Sequence, residues 1–194
     1  RFALLRPQFL SQRTSALARR RGQNHVQKIL ISFGMSDPKN LSHTALKALF
    51  NIRFSGHIDV VIGDYTSSYT MVRLQAQEMG ANVRILSDVE NMAKVMANAD
   101  LAIGGGGMTA WERCAMGLPA ISVVYAPNQV LSTRALFKSG AIWMIEGLSV
   151  NQDSIQEKLN EIISDYSAIR RASIQAEQIC DAEGCGRVLQ SING

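Results

Sequence analysis

The sequence predicts an α/β domain built on a Rossmann-like parallel sheet with helices on both faces. Short β-rich runs alternate with amphipathic helical segments along the 194 residues, and no internal repeat divides the chain. A run of four glycines stands between the fourth β-rich run and the next helical segment. Alternation of this kind places crossover helices over both faces of a parallel sheet. The chain is therefore expected to be one Rossmann-like domain.

Six β-rich runs are expected to form the strands. They lie at 29–33, 58–62, 83–86, 101–103, 120–124 and 142–145. Helices are expected between them, among others at about 67–79, 109–116 and 129–138, and the chain after 145 is expected to be helical. Gly80, Gly117 and Gly140 follow three of these helices, where a glycine commonly ends a helix.

Three helix starts carry capping signals in the sequence. Asp37 followed by Pro38 predicts a helix whose first residue is Pro38. Ser87 with Glu90 has the spacing of a capping box. Thr109 with Glu112 has the same spacing, which gives Glu112 a structural explanation.

The first stretch of the chain is rich in arginine and poor in acids. Six arginines precede the first acidic residue, Asp37, and the chain does not begin with Met. Such a start fits an organellar transit peptide or a solvated linker helix in a piece cut from a longer protein. The second interpretation is favoured, so 1–24 are assigned to a linker helix region and 25–194 to the domain.

Composition excludes several classes of function. The net charge of +4 suits an anionic ligand, but no basic patch is interleaved with aromatic residues, so nucleic acid is not an expected partner. No apolar run reaches the ~20 residues of a membrane helix. Cys114, Cys180 and Cys185 lack zinc-site spacing, so no metal is expected and a reducing cytoplasm is the predicted location. Cys114 lies in a predicted helix and is expected in the core.

The glycine run at 104–107 is the most informative motif. Backbone N–H groups without side chains can approach a phosphate closely, and the following helix N-terminus favours an anion. A tight turn would usually need one glycine, so the run favours an anion site over packing. Met108 and Thr109 follow the run where a Walker loop needs Lys and Ser or Thr, and the dinucleotide fingerprint is also incomplete. NAD(P) is disfavoured and no cofactor is expected.

A second loop follows the first predicted strand and contains Gly34 and Ser36. Strands one and four flank the switch point of such a sheet, so both loops are expected to face one crevice. Glu112 either caps its helix or accepts hydrogen bonds from a ribose diol. Asn128 and Gln129, at the end of strand five, either contact sugar hydroxyls or start the next helix.

Several long blocks resemble a known family. Residues 99–119 and 126–129, together with 31–41 and 184–187, are similar to the UDP-sugar hydrolases of pseudaminic acid synthesis. The same pattern is more distantly similar to the N-acetylglucosaminyltransferases that make lipid II. Both groups have the GT-B architecture, in which two Rossmann-like domains surround a cleft and the C-terminal domain binds UDP.

The resemblance implies a single C-terminal-type GT-B domain that binds a UDP-sugar. It places the ribose-binding glutamate on Glu112. The UDP and phosphate contacts are then expected at Gly34, Ser36, Gly105, Gly106, Gly107, Met108 and Thr109, with Asn128 and Gln129 on the sugar side. Met35 departs from the family, which usually has a second glycine there, and a Met is expected to narrow this loop.

The function implied first is hydrolysis of a UDP-activated diacetamido-trideoxy sugar to UDP and free sugar. The alternatives are a UDP-sugar-dependent GT-B glycosyltransferase and a non-catalytic nucleotide-sugar-binding module. The family's catalytic histidine belongs to the N-terminal domain, so no catalytic residue is assigned in this chain. The partner expected for catalysis is that missing domain of the same protein.

Overall fold

The computed structural model describes residues 2–37, 39–146 and 150–193. Six parallel strands form one sheet in the order β3-β2-β1-β4-β5-β6, which confirms the predicted fold class. The strands are β1 (Lys28–Ser32), β2 (His57–Val61), β3 (Val83–Leu86), β4 (Leu101–Gly105), β5 (Ala120–Val124) and β6 (Ile142–Glu146).

Helices connect the strands and complete the chain. They are α1 (Pro7–Arg21), α2 (Leu41–Asn51), α3 (Tyr69–Met79), α4 (Met92–Ala97), α5 (Thr109–Ala115), α6 (Val130–Lys138), α7 (Gln152–Ile163), α8 (Tyr166–Ile179) and α9 (Gly184–Asn193). Short 3-10 turns at Gly80–Asn82 and Pro127–Gln129 precede β3 and α6.

The core has two parts, one on each face of the sheet. Leu30 points to the face covered by α1, α4 and α5, whereas its neighbours Ile29 and Ile31 point to the face covered by α2, α3 and α7. Alternate strand residues therefore bury apolar side chains on opposite faces. Cys114 is 1% exposed in the first cluster, and burial raises its pKa to about 12, which confirms its assignment to the core.

Helix α1 corrects the expectation of a solvated helix. Phe9 and Ala16 are buried in the core, and the guanidinium of Arg20 is buried as well. Arg13 donates to the carbonyls of Glu177 at 2.7 Å and Cys180 at 2.9 Å. Arg13 and Arg20 therefore hold α1 against the domain, because they donate to carbonyls at the ends of other helices, whereas Arg21 is exposed. The use of 1–24 as a linker to another domain stays a prediction.

The capping predictions were wrong in position. Helix α2 begins at Leu41, so Asp37 lies upstream of the observed boundary, and Pro38 is outside the described residues. Helix α4 begins at Met92 and is capped by Asn91, whose side chain accepts from the Lys94 N–H at 3.0 Å. The Ser87–Glu90 capping box is therefore absent. Both helices begin several residues after their sequence signals: Asn91 caps α4, and the Asp37 carboxylate reaches forward to the N–H groups of Leu41 and Ser42.

Candidate functional site

The loop after β1 and the first turn of α5, the helix after β4, meet at the switch point of the sheet. Ser32 at the end of β1 pairs in register with Gly104 of β4. A cleft of about 290 Å³ opens there, at the carboxyl ends of the strands. Its lining residues are Arg6, Ser32, Gly34, Met35, Val61, Val89, Met92, Thr109 and Glu112. The structure therefore brings Gly34, Thr109 and Glu112 together in one cleft.

The loop after β1 is stabilised by hydrogen bonds to Asp37. Its fully buried carboxylate accepts hydrogen bonds from the N–H of Leu41 at 2.9 Å, the N–H of Ser42 at 3.0 Å and the hydroxyl of Ser68 at 3.2 Å. Asp37 thus stabilises the start of α2 and the loop instead of facing a ligand. Gly34 adopts a left-handed φ of 88°, which a residue with a side chain rarely adopts.

Met35 and Ser36 are exposed beside Gly34. Met35 lines the cleft with 41% of its surface exposed, and its carbonyl accepts from the Gly63 N–H at 3.3 Å. The Met35 side chain therefore lies at the wall of the cleft. Ser36 is not among the lining residues, and its contact with phosphate stays a prediction.

The glycine run has a stronger packing requirement than the sequence analysis assumed. Its first two glycines belong to β4, which is longer than predicted. A Cβ on Gly104 would collide with the Ser32 carbonyl, one on Gly105 with the Tyr125 ring, and one on Gly106 with Thr133. A Cβ on Gly107 would make only ordinary contact. The number of glycines alone therefore does not indicate an anion site.

The backbone of the run supplies the better argument for an anion site. The hydrogen bonds of α5 start with Ala110 N–H to the Gly107 carbonyl at 2.9 Å and Trp111 N–H to the Met108 carbonyl at 3.0 Å. In the described part of the chain, no hydrogen bond uses the N–H groups of Gly106, Gly107 and Met108. Three consecutive unpaired donors ahead of a helix can bind an anion.

Glu112 does not form the predicted capping box. Thr109 is the first residue of α5, and neither it nor the N-terminal flanking residue caps the helix with a side chain. The Glu112 carboxylate instead accepts from Arg6 Nη2 at 3.3 Å. Its side chain is 17% exposed, and burial raises its pKa, although Arg6 and Arg113 act in the opposite direction. Helix capping therefore does not explain the Glu112 carboxylate, which lies in the cleft as a hydrogen-bond acceptor.

Two arginines at the site were missed by the sequence analysis. Arg6 contributes an exposed cation to the cleft and also lies over the Phe9 ring, 5.4 Å from its centroid. Arg113 is 1% exposed and donates through Nη2 to the Gly105 carbonyl at 2.7 Å. Arg6 is distant in sequence from the loops, so no local pattern points to it. Arg113 directly follows the motif residue Glu112, and this position was the only sequence signal for its role.

Asn128 and Gln129 do not line this cleft. Gln129 is 8% exposed, and its side-chain carbonyl accepts from the Tyr125 N–H at 3.3 Å, so it stabilises the start of the 3-10 turn. Asn128 is exposed in the same turn. Their role as sugar contacts stays a prediction.

A larger groove of about 640 Å³ lies between β3 and α4, and three of its charged residues, Lys28, Asp59 and Arg84, are paired with one another. The buried Asp59 carboxylate lies 2.9 Å from both Lys28 Nζ and Arg84 Nη2. Burial alone would raise the pKa of Asp59, and the hydrogen bonds from Arg84 and Lys28 outweigh it and lower the pKa. This groove therefore carries a structural ion-pair network, and the switch-point cleft is the candidate site.

Comparison with known proteins identifies the family of the domain. The pattern of the glycosyltransferase family 28 C-terminal domain matches residues 22–183. The chain therefore belongs to this family. It is 23% identical over 190 residues to the spore coat polysaccharide biosynthesis protein SpsG of Bacillus subtilis, covering 96% of this chain and 55% of SpsG.

The chain is also similar to a second sequence relative and to a solved structure. The UDP-N-acetylglucosamine--N-acetylmuramyl-(pentapeptide) pyrophosphoryl-undecaprenol N-acetylglucosamine transferase of Shewanella denitrificans is 22% identical over 179 residues, covering 89% of this chain and 49% of the transferase. The crystal structure of Acinetobacter baumannii MurG superposes with a TM-score of 0.76 at 19% identity, covering 95% of this chain and 54% of MurG. The fold is thus a Rossmann-like GT-B domain, and the chain spans about half the length of these relatives.

Residues 2–37, 39–146 and 150–193 contain neither a candidate metal site nor a candidate membrane span. No cluster of three or more His, Cys, Asp or Glu side chains there could hold a metal ion. No helix in the same ranges is long and apolar enough to cross a membrane.

Proposed function

We propose that this chain is the nucleotide-sugar-binding domain of a GT-B glycosyltransferase that uses a UDP-sugar in glycan assembly. The observation that carries the proposal is a half-buried carboxylate, Glu112, that lies with Thr109 in the switch-point cleft, directly after a loop of unpaired N–H groups. Gly105, Gly106, Gly107 and Met108 of that loop are not among the residues that line the cleft. Membership of the family 28 C-terminal domain family supports a donor-binding role. The names of the relatives, a spore coat polysaccharide protein and N-acetylglucosamine transferases, support the same class of substrate.

The ribose is proposed to bind Glu112. An ionised carboxylate accepts at both oxygens, and a ribose diol offers two hydroxyl donors, so the two are complementary. Arg6 occupies one carboxylate oxygen from an exposed position, with 54% of its side chain in solvent. Such an exposed ion pair is weak, so ribose can displace or share it at small cost.

The diphosphate is proposed to bind the N–H groups of Gly106, Gly107 and Met108. These donors lie at the start of α5, where the helix dipole also favours negative charge. Gly34 and Ser36 of the opposite loop are proposed to contact the same phosphates. The leaving UDP carries negative charge when the sugar departs, and preorganised N–H donors stabilise that charge.

The second candidate is hydrolysis of the UDP-sugar, in which water replaces the acceptor. Its support is the resemblance of residues 99–119 to the UDP-sugar hydrolases, and the domain would hold the same leaving group. Either reaction needs a base near the attacking hydroxyl or water, and we assign none to this chain. We propose that a second domain supplies it and closes over the sugar.

Product analysis separates the two reactions. The whole protein is incubated with a UDP-linked N-acetylated sugar with and without a lipid or sugar acceptor. Free sugar formed without acceptor supports the hydrolase, whereas UDP release that requires an acceptor supports the transferase.

The nucleotide-binding proposal is tested by calorimetric titration of this chain with UDP, UMP, CMP and NAD. UDP is expected to bind more tightly than the other three, because only UDP presents both the uridine and the diphosphate. Equal binding of UDP and NAD, or no binding of any of the four at millimolar concentration, contradicts the proposal.

A further inference from the structure

A buried guanidinium lies directly beneath the glycine run. Arg113 is 1% exposed, and its Nη2 atom donates to the Gly105 carbonyl at 2.7 Å and to the Ser122 hydroxyl at 3.3 Å. Its Nε and Nη1 atoms are buried without a hydrogen-bond partner among the described residues. A buried charge with unsatisfied donors is costly, so its presence requires an explanation.

The position of Arg113 relates it to the cleft. A Cβ placed on Gly104 would lie 2.8 Å from Arg113 Nη1 and would also collide with the carbonyl of Ser32, a cleft-lining residue. The unpartnered Nη1 atom therefore lies near the junction of β1 and β4, under the switch point. Glycine at 104 leaves the space that the guanidinium uses.

The hydrogen bond to Gly105 fixes the direction of the next donor. In a planar trans peptide, the carbonyl of Gly105 and the N–H of Gly106 point in opposite directions. Arg113 holds this carbonyl toward the buried side, so the Gly106 N–H points away from the guanidinium. That N–H is one of the three unpaired donors of the run.

We propose that Arg113 is a positioning residue for the diphosphate of the bound nucleotide. It orients the Gly105–Gly106 peptide so that the Gly106 N–H faces the phosphate, and its buried charge compensates the negative charge of the phosphate from behind the loop. The guanidinium remains protonated at neutral pH, and its charge acts across a medium of low dielectric constant. This inference rests on the proposed function, because it requires a diphosphate at the run.

The chain offers a matched control for the loss of a buried arginine. Arg20 is 6% exposed and also donates to backbone carbonyls, those of Met116 at 2.7 Å and Ala99 at 3.0 Å among them. None of its recorded acceptors belongs to the glycine run. Arg20→Met thus removes a comparable buried cation away from the proposed phosphate contacts.

The experiment compares the affinities of UDP and uridine for wild type, Arg113→Met, Arg113→Lys and Arg20→Met, with a thermal unfolding curve for each. The affinity of Arg113→Met for UDP is expected to fall about tenfold or more, the size of a lost charge-assisted interaction. Its affinity for uridine, which has no phosphate, is expected to stay unchanged. Arg20→Met is expected to keep the wild-type ratio of the two affinities even where its melting temperature falls.

Arg113→Lys distinguishes the effect of peptide orientation from the effect of the buried charge. It also tests the proposal if Arg113→Met does not fold. Lysine keeps the charge but lacks the planar fork of donors, so a smaller, selective loss of UDP affinity is expected. If the folded Arg113 variants keep the wild-type UDP-to-uridine ratio, the inference is overturned and Arg113 is only structural. If wild type binds no UDP, the proposed function itself fails.

Discussion

Arg20 Nη1 donates a hydrogen bond to the backbone carbonyl of Met116 at 2.7 Å. Met116 follows the last residue of α5, and the same guanidinium also reaches the carbonyl of Ala99, just after α4, at 3.0 Å. One buried arginine of α1 therefore satisfies carbonyls at the ends of two other helices, where the helix dipole favours a cation. The arginine-rich start of the chain is in this way part of the domain.

Replacement of Arg20 by Met is expected to destabilise the domain strongly. The variant leaves several buried carbonyls without donors, and the free energy of unfolding is expected to fall by about 2–4 kcal/mol. Arg21→Met is the matched control, because Arg21 is 64% exposed in its pair with Glu177 and such pairs contribute ~0–1 kcal/mol. Urea unfolding measures both. Equal losses for the two variants would mean that the buried hydrogen bonds of Arg20 contribute little.

Alanine at 106 and at 107 is expected to have different effects on stability. A methyl group on Gly106 collides with Thr133, and relief of that overlap is expected to cost about 1–3 kcal/mol. A methyl group on Gly107 meets only the Gln129 amide at 3.9 Å, so a change within ~0.5 kcal/mol is expected. Thermal unfolding of the two variants checks this difference. Similar melting temperatures would show that the run is not packed as described.

The pH dependence of UDP binding is expected to carry the titration of Glu112. Burial raises the pKa of this carboxyl, and the charge of Arg6 partly opposes the rise. Binding needs the ionised form, so UDP affinity should weaken as the pH falls through the raised pKa. The UDP affinity of wild type and of Glu112→Gln is measured across pH. Wild type should show the weakening caused by Glu112 protonation and Glu112→Gln should not, since the titration of UDP itself affects both equally.

The folded chain without ligand should respond to the same titration with the opposite sign. Because the pKa is raised on folding, the folded state binds more protons, so this residue's contribution to stability improves as the pH falls through that pKa.

Arg6→Ala removes a charge that lowers the pKa of Glu112 and should move the weakening of UDP binding to higher pH. An unchanged pH profile in Arg6→Ala would contradict the Arg6–Glu112 contact.

The sequence predicts the sheet well and the site in part. The strands were predicted because buried parallel strands are short apolar runs between helices, and the switch point follows from their order. The starts of α2 and α4 were misplaced, whereas α5 begins at Thr109 as predicted. Asp37 contacts α2 from four residues upstream of Leu41, a contact that helix-start signals do not reveal. Arg6 could not be predicted as a cleft residue, since its contact with Glu112 joins positions 106 apart.

The glycine run was predicted as an anion site for a reason that the structure does not support. Gly104, Gly105 and Gly106 are required because a Cβ there would collide with groups distant in sequence. These are the Ser32 carbonyl, the Tyr125 ring and the Thr133 side chain, and no local pattern reveals them. The predicted anion site is supported instead by the unpaired N–H groups. Backbone hydrogen bonding depends on the folded structure and is not visible in the residue types.

The most direct test of the proposed site is calorimetric titration of UDP into wild type and Glu112→Ala, together with the melting temperature of each. Loss of the ribose acceptor is expected to weaken UDP binding about tenfold to a hundredfold, equivalent to ~1–3 kcal/mol, while the melting temperature changes little because Glu112 caps no helix. A fall in melting temperature with unchanged UDP affinity would contradict the assignment of Glu112 to the nucleotide and make it a structural residue.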